Sequence, residues 1–319
     1  MGRLNYEKKD LGPSFALAVT VMLVSSLLLV LIFGANASGW RFWIMQALYT
    51  LCIGSSAFIY AAATHTRVFV ATKLNVAPRY AHVLWGCLAV TFLVACMTPI
   101  NNLLLDGIEA LGLKRPSVEL ENNLAGLLIV ACILPCITEE IVFRGTVAQS
   151  LANSNNRLGA LAICGALFAL FHANPAQTVH QFVLGAFLTL LVFRSGSLWT
   201  SVIVHFFNNA LVVALSYTAL GEDAFWSFSQ NTGVVVACLC VGVIGFAGCV
   251  FGYVKTTKSC GVAQVEAAAD RSNGAQAGDV SAIGNAQHSF AKSNLWSVIT
   301  LIVAIIICVV LWATNLFAV

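Results

Sequence analysis

Glu139 and Glu140 stand side by side, four residues before Arg144, in a run that is otherwise apolar from about Leu124. Downstream, Phe168 and His172 form a second four-residue pair, and His205 and Asn209 a third. Each pair lies in its own apolar segment. Ionisable groups at membrane depth cost a few kcal/mol each, so they pair with one another or face a polar cavity. The plain structural account is an ion pair that joins two helices. The chemical account needs all three segments to meet.

Helix geometry says that they can. The turn residues Ser154-Asn155-Asn156 separate the first two segments. Glu139 and His172 lie roughly 16 residues on either side of that turn, up to ~24 Å along a helix axis, so both sit at one depth. Glu140 and Arg144 stack on one side as an i,i+4 pair. Glu139 is rotated by about 100° from Glu140, so one carboxylate can be ion-paired while the other faces the cavity. A carboxylate taken out of water holds a proton more readily, which suits a general base near neutral pH. A neighbouring histidine can hold the same water, and the N–H groups of His205 and Asn209 suit a developing oxyanion. Ser201 lies four residues before His205, but on a helix face it reads as a packing hydroxyl and not a nucleophile. The residue types therefore point to water-mediated hydrolysis of an amide or ester.

The elements that must position these groups are membrane spans. The chain has 319 residues, 59% of them hydrophobic and 9% charged, with mean hydropathy +0.88. Soluble domains carry roughly 25% charged residues, so the class is a polytopic, all-α transmembrane bundle. A net charge of +3 is too small and too dispersed for a nucleic-acid partner. Of the 11 cysteines only Cys260 lies in a polar stretch, so they read as buried packing residues without a zinc pattern.

Nine spans are expected, at about 13–33, 42–63, 82–105, 124–143, 157–172, 178–193, 198–220, 233–254 and 295–317. Ala35-Asn36-Ala37 resembles a signal-peptidase site, but the preceding apolar run is long for a cleaved signal, so an uncleaved first span is expected. With the N-terminus cytoplasmic, thirteen of the 16 Lys and Arg residues fall on the inner side, leaving Arg41, Lys114 and Arg115 outside. Asp106, Glu109, Glu119 and Glu121 would form an acidic outer loop, and Glu222 and Asp223 a second one. His65 and His82 are expected at the interface beside a basic loop.

Five segments follow: spans one to three at 1–123, the core that carries the three pairs at 124–220, and span eight at 221–257. Residues 258–292 are rich in Ala, Gly, Ser, Asn and Gln and read as a disordered cytoplasmic linker. It leads to a ninth span at 293–319, expected to be peripheral to the function.

Glu139-Glu140-x-x-x-Arg144, Phe168-x-x-x-His172 and His205-x-x-x-Asn209, in this order and each on its own span, resemble the motifs of the CPBP family. These are CAAX-type and bacteriocin-processing intramembrane endopeptidases, also called Abi proteins. The resemblance covers about residues 124–220. It implies a glutamate-dependent protease that uses no metal or other cofactor, in which Glu139 and His172 activate water and His205 and Asn209 stabilise the oxyanion. Glu140, Arg144 and Phe168 would support the site. The implied substrate is a membrane-associated peptide or protein reached from the lipid bilayer or the cytoplasm, and the implied location is the plasma membrane. Two other readings stand beside it. Glu139, His172 and His205 could ligate a catalytic zinc, or the chain could be a non-catalytic scaffold or immunity protein of the same fold.

Overall fold

The computed structural model of the chain describes residues 2–113, 123–217, 231–257 and 283–317. It is an all-α bundle, as expected. The principal helices are α1 (Leu11–Phe33), α2 (Trp40–Ala63), α3 (Tyr80–Ala110), α4 (Leu124–Leu151), α5 (Arg157–Phe171), α6 (Thr178–Ser195), α7 (Leu198–Tyr217), α8 (Thr232–Thr256) and α9 (Ile283–Phe317).

Among the described residues eight helices, not nine, are long and apolar enough to cross a membrane. The exception is α5, with 15 residues. At 1.5 Å per residue it is about 22 Å long, short of the ~30 Å hydrocarbon core. It starts where Asn156 accepts from the Gly159 N–H at 2.8 Å, and it stops before Ala173, whose φ of +47° no helix accommodates. α3 runs through Pro99 to Ala110, so Asp106 and Glu109, expected in the acidic outer loop, are helical residues. Neighbouring helices allow a proline inside a membrane helix because they satisfy the backbone groups it frees. The rest of the expected acidic loops, Glu119, Glu121, Glu222 and Asp223, lies outside the described residues.

α4 is irregular along its length. It is α-helical at Leu124–Leu127 and Leu134–Val142, but π-helical at Leu128–Ile133 and Phe143–Val147. Pro135 explains the first departure in part, since its missing N–H cannot bond the carbonyl of Ala131. π segments of this kind re-aim the side chains beyond them, here the Glu139–Arg144 stretch.

Small residues let the helices approach. A Cβ on Gly54 of α2 would lie 2.7 Å from Cγ2 of Thr138, next to Glu139 on α4. Gly242 of α8 meets Cys96 of α3 in the same way, and beside that seam the buried His82 bonds the Tyr253 hydroxyl at 2.9 Å. His82, expected at the interface, is buried between the first turn of α3 and α8, where the Tyr253 phenol offers its ring a partner. The ten described cysteines are all free.

The stretch between α2 and α3, expected as a basic loop, is pinned to the start of α7. Its carbonyls accept from the Leu198 N–H (from Lys73, 3.2 Å), the Trp199 indole (from Leu74, 2.9 Å) and the Ser197 hydroxyl (from Val76, 2.6 Å). Three bonds from one loop set the height of α7, and with it His205.

α9 departs furthest from expectation. It begins at Ile283, inside the stretch read as a linker to residue 292, while residues 258–282 lie outside the described residues. Its Ala304 and Cys308 share one core with Phe15, Phe143, Phe168 and Phe171. The Gly12 N–H donates to the Ser297 hydroxyl at 3.1 Å, which brings α1 and α9 into direct contact. α9 thus contributes to the core around Phe168.

Gly54→Leu should force α2 away from α4 and lower stability by about 1–3 kcal/mol. Gly248→Leu, where a Cβ meets nothing within 4 Å, should change stability by no more than about 0.5 kcal/mol. Thermal unfolding of the two variants in detergent checks the contrast.

Candidate active site

Glu140 is the centre of a buried ionic knot. Its Oε1 accepts from the Arg144 guanidinium at 2.8 Å and from Nδ1 of His205 at 2.9 Å. The Arg144 and Glu140 side chains are 1% and 0% exposed. A carboxylate oxygen only accepts, so the Nδ1 of His205 carries the proton and Nε2 is left for other work. Arg144 reaches further. Its NH2 donates to the Gly185 carbonyl of α6 at 3.2 Å, and its guanidinium lies 4.1 Å from the ring centroid of Phe168 on α5. Phe168 in turn packs edge-on against His172 at 4.6 Å and His205 at 5.9 Å between centroids.

The adjacent carboxylate does something different. Rotated away from the knot, Glu139 places Oε2 3.7 Å from Nε2 of His172, and this oxygen has no hydrogen-bond partner. The other ring nitrogen of His172, Nδ1, lies 2.8 Å from the Phe168 carbonyl, which can only accept. That bond fixes the tautomer: Nδ1 carries the proton, and neutral His172 turns a lone pair towards Glu139. Two acceptors at 3.7 Å do not bond to each other. They are arranged to share a donor such as one water or one proton.

Asn209 and Asn208 divide the polar work of α7. The Asn209 amide donates at 2.9 Å to the Ala131 carbonyl, the one that Pro135 deprives of its helical donor. Asn208 is buried; its amide donates to Oδ1 of Asn209 at 3.1 Å, and its own Oδ1 lies 3.4 Å from Nε2 of His180. Ser201 donates to the Leu198 carbonyl at 2.9 Å, as a packing hydroxyl does.

All seven residues singled out in the sequence thus meet in one region between α4, α5 and α7, with α6 closing it. His205 and Asn209, expected to supply N–H donors, each have one polar group engaged within the protein, with Glu140 and with the Ala131 carbonyl. Among the described residues no three His, Cys, Asp or Glu side chains are arranged to hold a metal ion. Three nearby residues were not foreseen as part of the site. His180 matched no motif, although it is an ionisable residue in an apolar helix. Tyr49 of α2 is close enough to interact electrostatically with Glu139. Asn315 of α9 donates to the carbonyl of Ala173, the residue after His172, at 2.7 Å. The sequence signal for the last was the one amide within the apolar run 295–317.

These features define an integral membrane protein that gathers two carboxylates, an arginine and two histidines in one helix bundle, with Glu140, Arg144 and His205 fully buried. Residues 121–211 match the family of type II CAAX prenyl endopeptidases, Rce1-like, which bears out the resemblance drawn from the three motifs. At the level of that family the matched segment is similar to a CAAX-type membrane protease. Comparison with curated proteins and with solved structures finds no match.

Arg144→Met leaves the Glu140 carboxylate buried without its guanidinium, and should destabilise the fold by about 3–5 kcal/mol. Glu140→Gln combined with Arg144→Met removes both charges and should recover a good part of that loss. Urea or thermal unfolding of the single and double variants measures the coupling.

Proposed function

We propose that the chain is an intramembrane endopeptidase that hydrolyses a peptide bond of a membrane-associated peptide or protein. The observation that carries this reading is the unpartnered Glu139 oxygen facing the His172 lone pair at 3.7 Å. A water held by both groups gives one proton to Glu139, and its oxygen attacks the scissile carbonyl carbon while His172 orients it. The carbonyl oxygen becomes an oxyanion, which takes hydrogen bonds from the ring of His205 and from the second amide hydrogen of Asn209. The C–N bond then breaks, and the proton held at Glu139 passes to the leaving amine. The products are a carboxylic acid and an amine, and the two carboxylates return to their starting states.

Glu140, Arg144 and Phe168 support this chemistry without touching substrate. Glu140 holds Nδ1 of His205 and so sets the orientation of its ring. Arg144 pairs with Glu140, and Phe168 supplies both the carbonyl that orients His172 and the ring on which Arg144 rests.

Residues 124–220 form the catalytic core in this reading, with the N-terminus cytoplasmic and the protein in the plasma membrane. The asymmetry of Lys and Arg supports that orientation. The substrate presents a lipidated, transmembrane or amphipathic segment, because its scissile bond must enter a helix bundle within the bilayer. No cofactor takes part in the steps above.

New protein and peptide termini in membranes of cells that express wild-type or Glu139→Gln protein at equal abundance test the reading. Cleavage should fall by at least about 100-fold in the variant, and termini confined to wild type name the substrate. Identical termini, with the wild-type phenotype intact, would leave a scaffold or immunity role. Wild-type cleavage should also survive chelation; its loss to a chelator and return with zinc would favour the zinc hydrolase.

A further inference from the structure

The turn that follows His172 is built unusually. Ala173 has φ +47°, a left-handed conformation that residues with a Cβ rarely adopt. Its carbonyl has left the α5 ladder, yet it has a partner: Nδ2 of Asn315, 2.7 Å away on α9. One helical turn earlier, the Trp312 indole donates to the Thr178 hydroxyl at 2.8 Å. That hydroxyl donates in its own turn to the Asn174 carbonyl at 3.0 Å. Trp312 and Asn315 are three residues apart and share a face of α9, so one helix face grips both ends of the turn between α5 and α6. Backbone that leaves a helix in a membrane protein needs such partners from within the protein.

We propose that α9 is a positioning element for the water-activating histidine, acting through Asn315 and Trp312 on the Ala173 turn. This rests on the hydrolase reading for its catalytic consequence, but not for its geometry. Phe171 ends α5, so His172 lacks a continuing helix to hold it. Its ring is set by the Phe168 carbonyl on one side and by the path of the chain at Ala173 on the other. Without Asn315 the turn relaxes towards right-handed φ, and the imidazole tilts away from Glu139. The residues responsible lie far outside the segment that matches the endopeptidase family.

The test uses full-length protein in nanodiscs, with ¹⁵N-labelled histidine and the His172 signals assigned by His172→Gln. Asn315→Ala should shift or broaden the two His172 ring signals. Adding Ala173→Gly should restore them at least in part, since glycine adopts positive φ without a steric penalty. Against the substrate named by the termini experiment, Asn315→Ala should lower kcat by about ten- to a hundredfold with KM within about twofold, and the double variant should regain activity. Thr314→Val, whose hydroxyl bonds only back to Leu311, should change neither reading. If Asn315→Ala does not accumulate, Trp312→Phe keeps the ring packing and carries the same readouts. An unchanged His172 spectrum in the variant overturns the proposal. A shifted spectrum in a protein whose wild type cleaves nothing overturns the hydrolase reading and leaves the positioning role standing.

Discussion

One buried oxygen, Oε1 of Glu140, accepts hydrogen bonds from Arg144 and His205 at the same time. In a low-dielectric interior neither the carboxylate nor the guanidinium tolerates separation, because an unpaired buried charge costs several kcal/mol. The knot therefore dictates where helices go. Arg144 reaches Gly185 on α6 and lies over Phe168 on α5, while His205 brings in α7. Four helices are committed to one arrangement before any chemistry is considered. Glu139 follows from this commitment. With Glu140 locked inward, the helical twist of about 100° per residue turns its neighbour to another face, where His172 stands.

The second constraint is the irregularity of α4. A proline and two π segments leave the helix with a carbonyl it cannot satisfy alone, and α7 supplies the missing donor through Asn209. The same amide is thus a structural clamp and a candidate oxyanion donor, so its geometry is fixed by the fold and not by substrate. His205 shows the same economy, with Nδ1 bound to Glu140 and Nε2 left over. Preorganised donors of this kind do not need to reorganise when charge develops, which is the basis of electrostatic catalysis.

The site was legible in the sequence because its physics is local or periodic. Glu140 and Arg144, and Phe168 and His172, are i,i+4 pairs, and a charged residue in an apolar run is conspicuous whatever the fold. Equal distances from one turn were enough to bring Glu139 to His172. What was not legible depends on contacts between segments distant in the chain. Nothing periodic in residues 64–81 announces that three of their carbonyls hold α7. The ends of α5 were legible, 157–172 being expected and Arg157–Phe171 found; what its apolar composition hid is that 15 residues are too few to cross the hydrocarbon core. α9 looked peripheral to the function because the residues it packs on the core, Ala304 and Cys308 with Leu301, Ile305 and Leu311 beside them, carry no signature of what they touch. The exception is Asn315, an amide whose presence in an apolar helix follows the same rule that exposed Glu139.

The two halves of the candidate water site are held by different means, and this matters for how it can work. Glu139 sits inside a continuous helix, braced by the ionic knot one residue away. His172 sits at a helix end, oriented by a single carbonyl and by a turn whose partners come from another part of the chain. A pair of acceptors 3.7 Å apart shares a water only while both keep their places, so the less constrained partner governs how often the site is assembled. The rigidity supplied by the matched core is necessary but incomplete. The remaining restraint must come from the elements packed on the His172 turn, and of those only α9 bonds its backbone at Ala173 among the contacts of the described residues. On this argument the minimal functional unit extends beyond the three motifs to the end of the last helix.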